Sequence, residues 1–150
     1  MEVLGNLSEE MKNAMKAKDS LKLESLRAIK SEVLLAKTSS SGGTELTDED
    51  LIKLLQRLVK QRKDSAAIFY KQGRDDLAKI EEAQSAIIAS FLPEQLSEEE
   101  VFKIVKDIIL ITEAEGMKDM GKVMGLATKQ LGGKAEGKLI ATLVKQLLSP

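Results

Sequence analysis

Residues 47–73 read TDEDLIKLLQRLVKQRKDSAAIFYKQG, and the next stretch, RDDLAKIEEAQ, begins with hardly a break. The Thr47 hydroxyl can accept a bond from the Asp50 amide while the Asp50 carboxylate returns one, and Asp48, Glu49 and Asp50 all suit the positive end of a helix dipole. Leu51, Leu54, Leu55, Leu58, Val59, Ile68 and Phe69 continue at helical spacing to Gly73, a residue fitted to close a helix in the left-handed conformation. About 25 residues at ~1.5 Å each make a rod of roughly 38 Å. From about Asp75 a second pattern runs through Leu77, Ile80, Ala83, Ile87 and Phe91. So short a joint makes the pair an antiparallel hairpin. Helices of this length stand only where apolar faces meet.

Working outward, the same periodicity fills the rest of the chain and makes the fold class all-α. A helix is expected from Asn6 to Lys18 on Leu7, Met11, Ala14 and Met15, with Asn6 or Ser8 capping it. A second runs from Asp19 or Ser20 to about Lys37, its stripe being Leu23, Leu26, Ile29, Val33 and Ala36. Thr38 to Thr44, TSSSGGT, reads as a loop with nothing to bury. Downstream, Leu92-Pro93-Glu94-Gln95-Leu96 interrupts the pattern, because Pro93 disfavours helix at Leu92. Ser97-Glu98-Glu99-Glu100 is a second capping box, opening a helix that is expected to reach Gly116. Its run Ile108-Ile109-Leu110-Ile111 is β-branched enough for a strand, but cap, spacing and length favour helix. A short helix from about Asp119 to Leu131 and a last one from about Ala135 to Leu148 flank Gly132-Gly133. The expected organisation is an N-terminal helical domain with the long hairpin, residues 1–95, and a small C-terminal three-helix domain, residues 96–150.

Composition limits the chemistry. Apolar residues are 43%, charged residues 31% and aromatics 3% of the 150 residues, with no cysteine and no histidine. A disulfide, a thiol nucleophile and a thiolate zinc site are thereby excluded. The commonest general base near neutral pH and the commonest transition-metal ligand are missing too. The acidic runs Asp48–Asp50 and Glu98–Glu100 could be proposed as metal ligands or an acid/base pair. Helix capping already accounts for both, and consecutive helical side chains do not face each other. Gly133-Lys134 is followed by Ala135 rather than Ser or Thr, and Thr128 stands where a phosphate loop needs its first glycine. No catalytic residue, metal or cofactor is therefore expected. Met1 to Asn6 lacks the pattern of a signal peptide, and no apolar run approaches the ~20 residues that span a bilayer, so no membrane association is expected and the cytoplasm is the default location.

Charge and glycine placement single out the C-terminal third. Residues 117–150 carry Lys118, Lys122, Lys129, Lys134, Lys138 and Lys145 against Asp119 and Glu136, a local charge of +4, whereas residues 97–116 carry two lysines against six acids, or −4. Lys53, Arg57 and Lys60 line one face of the third helix, where a solvated surface is the simpler reading. Gly121 and Gly125 share a helix face, each at about 1 kcal/mol relative to alanine. Such a pair suggests close approach of another backbone, either a neighbouring helix or a sugar-phosphate chain. Gly132-Gly133-Lys134 and Gly137-Lys138 bracket the start of the last helix, where free amides and lysines could cradle phosphate. Phe69, Phe91 and Phe102 fall on apolar stripes and read as core, leaving Tyr70 alone off them, so a stacking platform for bases is disfavoured.

Asp119-Met120-Gly121-Lys122-Val123-Met124-Gly125, followed by Gly133-Lys134-Ala135-Glu136-Gly137-Lys138-Leu139, resembles the C-terminal signature of the GatB/YqeY family. Leu92-Pro93-Glu94-Gln95-Leu96-Ser97 is similar to that family's inter-domain junction. Gln61-Arg62-Lys63-Asp64-Ser65 with Gly73-Arg74-Asp75-Asp76-Leu77 is similar to its hairpin. The resemblance covers nearly the whole chain and lies nearest the free-standing YqeY-like proteins. It implies a C-terminal domain similar to the tail of the B subunit of aspartyl/glutamyl-tRNA amidotransferase, which helps to hold tRNA while the chemistry proceeds elsewhere. The implied function is that of a non-catalytic accessory protein docking tRNA or other structured RNA. Lys122, Lys134 and Lys138 would contact phosphates, Gly121 and Gly125 would allow close approach, and Gly133 and Gly137 would keep the last helix's entrance open. Two alternatives stand beside it. One is a protein partner gripped by the hairpin. The other is a subunit associated with an amidotransferase, where a carbon–nitrogen ligase label with glutamine as amido donor would be inherited from the larger enzyme.

Overall fold

The computed structural model describes residues 3–39 and 45–149, so most of the expected 38–44 loop lies outside the described residues. Among these residues there are seven α-helices and no strand: α1 (Leu7–Lys16), α2 (Ser20–Ser39), α3 (Asp48–Lys71), α4 (Asp75–Ala89), α5 (Glu98–Thr112), α6 (Met120–Leu131) and α7 (Gly137–Leu148), with a 3-10 turn at Met117–Asp119 before α6. The chain divides into two compact units, Met1–Leu92 and Pro93–Pro150.

The first unit is built on the hairpin. Both bonds of the Thr47–Asp50 capping box form, at 3.1 Å and 3.0 Å. At the other end of α3, the Gly73 amide donates to Tyr70 O and the Arg74 amide to Phe69 O, with Gly73 at φ +74°. This Schellman closure satisfies two carbonyls and turns the chain straight into α4. The helices then run antiparallel: Tyr70 hydrogen-bonds to Glu82, and Lys63, Ala66 and Ala67 share a groove with Ser85, Ala86 and Ala89. That bond to the Glu82 carboxylate pushes the Tyr70 phenol above its ordinary value. Leu54, Leu55 and Leu58 of α3 and Ile88 of α4 join Ala14, Leu26, Ile29 and Val33 in one core. Towards the tip the burial thins to Ala66 and Ala78, so Ile68 and Ile80, expected on the inner stripe, stay exposed.

Two smaller expectations change. Asn6 occupies the cap position of α1, but its backbone (φ −104°, ψ 6°) is not extended, and its side chain makes no capping bond. Asp19 does cap α2, its carboxylate accepting from the Lys22 amide at 3.1 Å.

In the second unit, Val101, Val105 and Ile108 of α5 meet Val123, Ala127 and Leu131 of α6 and Ile140, Leu143, Val144 and Leu148 of α7. The Ile108–Ile111 run is helical. The Ser97–Glu100 box forms as expected. The helix stops at Glu113, φ 56°, rather than at Gly116, because the Glu113 and Ala114 amides close onto Leu110 O and Ile109 O. Ala114 and Ile109 both pack against the core, supplying the apolar contact that favours this closure. Phe102, expected in the core, is 37% exposed beside Leu143 in the groove between α5 and α7.

Candidate functional site

The glycine pair is displayed on the surface. The inner face of α6 is Val123, Ala127 and Leu131, all buried, with Met120 and Met124 half-buried. Gly121 and Gly125 lie on the opposite side, exposed, and a Cβ built on either would meet nothing within 4 Å. No helix of this unit takes advantage of their missing side chains. Lys122, Leu126 and Lys129 follow beside them at i, i+4 and i+7, all exposed. Lys129 also continues the Gly121–Gly125 ridge by one turn. It is absent from the residues expected to form the site, although the same spacing rule finds it.

Gly133, Lys134, Gly137 and Lys138 stand at the far end of α6. Gly132 (φ −54°, ψ 125°) and Gly133 (φ +80°) form the central pair of a turn in which the Lys134 amide donates to Leu131 O at 2.9 Å. This is a type II turn, whose third residue needs positive φ. Gly133 is thus required by backbone geometry alone. Gly132 has its own reason: a Cβ there would sit 2.8 Å from the Thr128 carbonyl oxygen. α7 starts at Gly137, two residues later than expected, because Ala135 is buried in the core as part of the turn.

The cradle is therefore narrower than the sequence suggests. The Lys134 and Ala135 amides are spent on Leu131 O, which leaves the first-turn amides of α7, Gly137 to Leu139, without helical acceptors. Glu136 precedes them at the cap position and makes no side-chain cap bond. Its carboxylate competes with any phosphate for this helix end. Gly121 also lies roughly 15 Å along the α6 axis from Leu131 at ~1.5 Å per residue. The two glycine–lysine clusters cannot close on one phosphate. They can lie along a chain of phosphates.

Ion pairing separates the two basic regions. On α3, Lys53 pairs with Glu49, Arg57 with Glu32 and Lys60 with Asp64, at 3.4, 3.1 and 3.4 Å. That stripe is a solvated, internally neutralised surface. Among the described residues, none of Lys118, Lys122, Lys129, Lys134, Lys138 and Lys145 pairs with a carboxylate. Lys138 and Lys145, with Thr142 between them, line the exposed face of α7 at i, i+4 and i+7. Tyr70, 43% exposed, is engaged with Glu82. The described residues hold no group of three carboxylates placed to share a metal ion, and none of their helices is long and apolar enough to cross a membrane.

Known proteins resemble this chain along most of its length. The family described as YqeY-like protein matches residues 4–148. A protein named altered inheritance of mitochondria protein 41, mitochondrial, from Pyrenophora tritici-repentis is 32% identical over 135 residues, 89% of this chain and 73% of that protein. Its namesake from Clavispora lusitaniae is 39% identical over 90 residues, 60% of this chain and 51% of its own length. A shorter match, 44% over 55 residues, is to a glutamyl-tRNA(Gln) amidotransferase subunit of Thermococcus gammatolerans, covering 34% of this chain and 9% of that protein. The names of the first two correct the cytoplasmic expectation: such relatives are mitochondrial proteins, and neither the missing signal-peptide pattern nor the missing membrane-spanning run, on which that expectation rested, distinguishes the cytoplasm from a mitochondrial compartment. The resemblance read from the Gly-Lys motifs holds along the chain's length, and the chain belongs to the YqeY-like family.

Proposed function

We propose that this chain is a non-catalytic accessory protein that docks tRNA through the 117–140 region of its C-terminal unit. The observation that carries the reading is the open face of α6. Two glycines weaken the helix there, no neighbour within the unit uses the space, and the lysines beside them lack carboxylate partners among the described residues. A sugar-phosphate backbone suits both features, since it needs close approach and positive charge but no base-specific side chains. The 44% identity to a stretch of a tRNA amidotransferase subunit supports tRNA as the source of that backbone. Recognition rests on shape and phosphate position, as suits a duplex whose deep groove side chains cannot read.

Titration with tRNA at two salt concentrations tests this. Three phosphate contacts give a log–log slope of roughly −2.1 to −2.7, so affinity falls about 20- to 40-fold between 50 and 200 mM salt. Lys122→Glu, Lys134→Glu and Lys138→Glu together should abolish binding. Absence of saturable binding at low salt, or binding indifferent to those changes, sinks the proposal. The rival reading, a protein partner, has its own observation: the open groove of small residues, Ala66, Ala67, Ser85, Ala86 and Ala89, along the hairpin. It requires that Ala67→Glu and Ala86→Glu disrupt a complex while the C-terminal lysines are dispensable.

A further inference from the structure

The segment just before α5 is stitched to the turn that carries Lys134. The Gln95 side-chain amide donates to Gly133 O at 2.6 Å and to Pro93 O at 2.8 Å, and the Leu96 amide donates to Lys134 O at 2.8 Å. The Leu96 side chain meanwhile packs on the core of the same unit. Lys134 is consequently held on both sides: its own amide donates to Leu131 O, and its carbonyl accepts from Leu96. Gln95 suits this position for a chemical reason. A primary amide has two N–H donors, and both are used on carbonyls. The 93–96 segment, which by sequence reads as a junction between domains, is in this structure a brace for the turn.

We propose that Gln95 is a positioning residue for anion contact, fixing the root from which the Lys134 side chain reaches a phosphate. The inference rests on the RNA-docking reading above and names the residue outside the lysine clusters on which that docking depends. A lysine on a loose turn must be ordered when it binds, and bracing the turn in advance removes part of that cost. Because Gln95 acts through Lys134, its effect must vanish when Lys134 is absent. A residue that merely stabilised the unit would weaken binding whether or not Lys134 were present.

The test is a double-mutant cycle on the full chain, read as tRNA affinity at low salt. Gln95→Ala should weaken binding roughly threefold to tenfold, an amount set by the cost of ordering one long side chain. Gln95→Glu, which sets a carboxylate against two carbonyls, should do at least as much. In a Lys134→Ala background, Gln95→Ala should add less than about twofold, the scatter of an interaction shared by both residues. Hydrogen exchange gives a second readout: the Leu96 amide should lose protection in the Gln95 variants while the Val105, Val123 and Val144 amides keep theirs. Wild-type affinity in Gln95→Ala alongside weakened binding by Lys134→Ala, or an undiminished Gln95 effect without Lys134, overturns the inference and leaves RNA docking standing. Failure of the wild-type chain to bind tRNA overturns the docking reading itself, and this inference with it.

Discussion

A glycine on the open face of a helix costs about 1 kcal/mol relative to alanine, and α6 carries two with free space where their side chains would be. Gly125→Ala should therefore raise stability by about that amount, and Gly121→Ala, in the first turn, by less. Denaturant unfolding measures the gain. If the pair exists to admit a backbone, both variants should at the same time bind tRNA several-fold more weakly. A stabilised variant with unchanged affinity would remove the glycines from the interface. The left-handed residues argue the opposite substitution. Lys18 and Glu113 both close a helix at φ 56°, in the geometry that Gly73 adopts at +74°. Lys18→Gly and Glu113→Gly should each stabilise by roughly 0.5–1 kcal/mol, the strain relieved less the added freedom of the unfolded chain. Gly73→Ala should cost about 1 kcal/mol in the same assay.

Where an element's boundary is written in neighbouring residues, the sequence reveals it. Thr47 with Asp50, Ser97 with Glu100 and Gly73 all do in the structure what their local chemistry implies. Boundaries set by distant contacts are hidden. α5 ends at Glu113 because Ala114 finds the core, and α7 starts late because Ala135 does. The site shares this division: spacing puts Gly121 and Gly125 on one face, but whether that face meets protein or solvent depends on the packing of three helices. Ser97→Ala should cost about 1 kcal/mol, measured by urea unfolding, through loss of a capping bond. The first box adds a pH dependence. The Thr47 amide, and then its hydroxyl, hold the Asp50 carboxyl below its ordinary value of 3.8. The folded chain thus takes up that proton less readily than the unfolded one. The contribution is whole above the ordinary value and is lost as pH falls from there through the lower value of the folded chain. The stability difference between wild type and Asp50→Asn should be largest at pH values well above the ordinary 3.8 and shrink as pH falls below it.

Over the whole molecule the formal charge is −1, so bulk charge cannot draw in a polyanion, and any affinity for RNA must come from how the charges are distributed. Four ion pairs use cations of α3 or the α3–α4 joint, namely Lys53, Arg57, Lys60 and Arg74. Their partners are exposed enough for each pair to add little to stability, on the order of 0–1 kcal/mol, but each still cancels a positive charge. The lysines of residues 117–149 have no such cancellation. Two matched neutral sets turn this asymmetry into a measurement. Lys53→Gln, Arg57→Gln and Lys60→Gln together should leave tRNA affinity within about threefold of wild type and the salt slope unchanged, since these groups release no counterions on docking. Lys122→Gln, Lys134→Gln and Lys138→Gln together should flatten the slope by roughly 2 to 3, near one unit for each phosphate no longer neutralised. Equal effects from the two sets would mean that RNA senses the molecule's total cation count. The exposed face of α6 and the brace at Gln95 would then have no part in recognition.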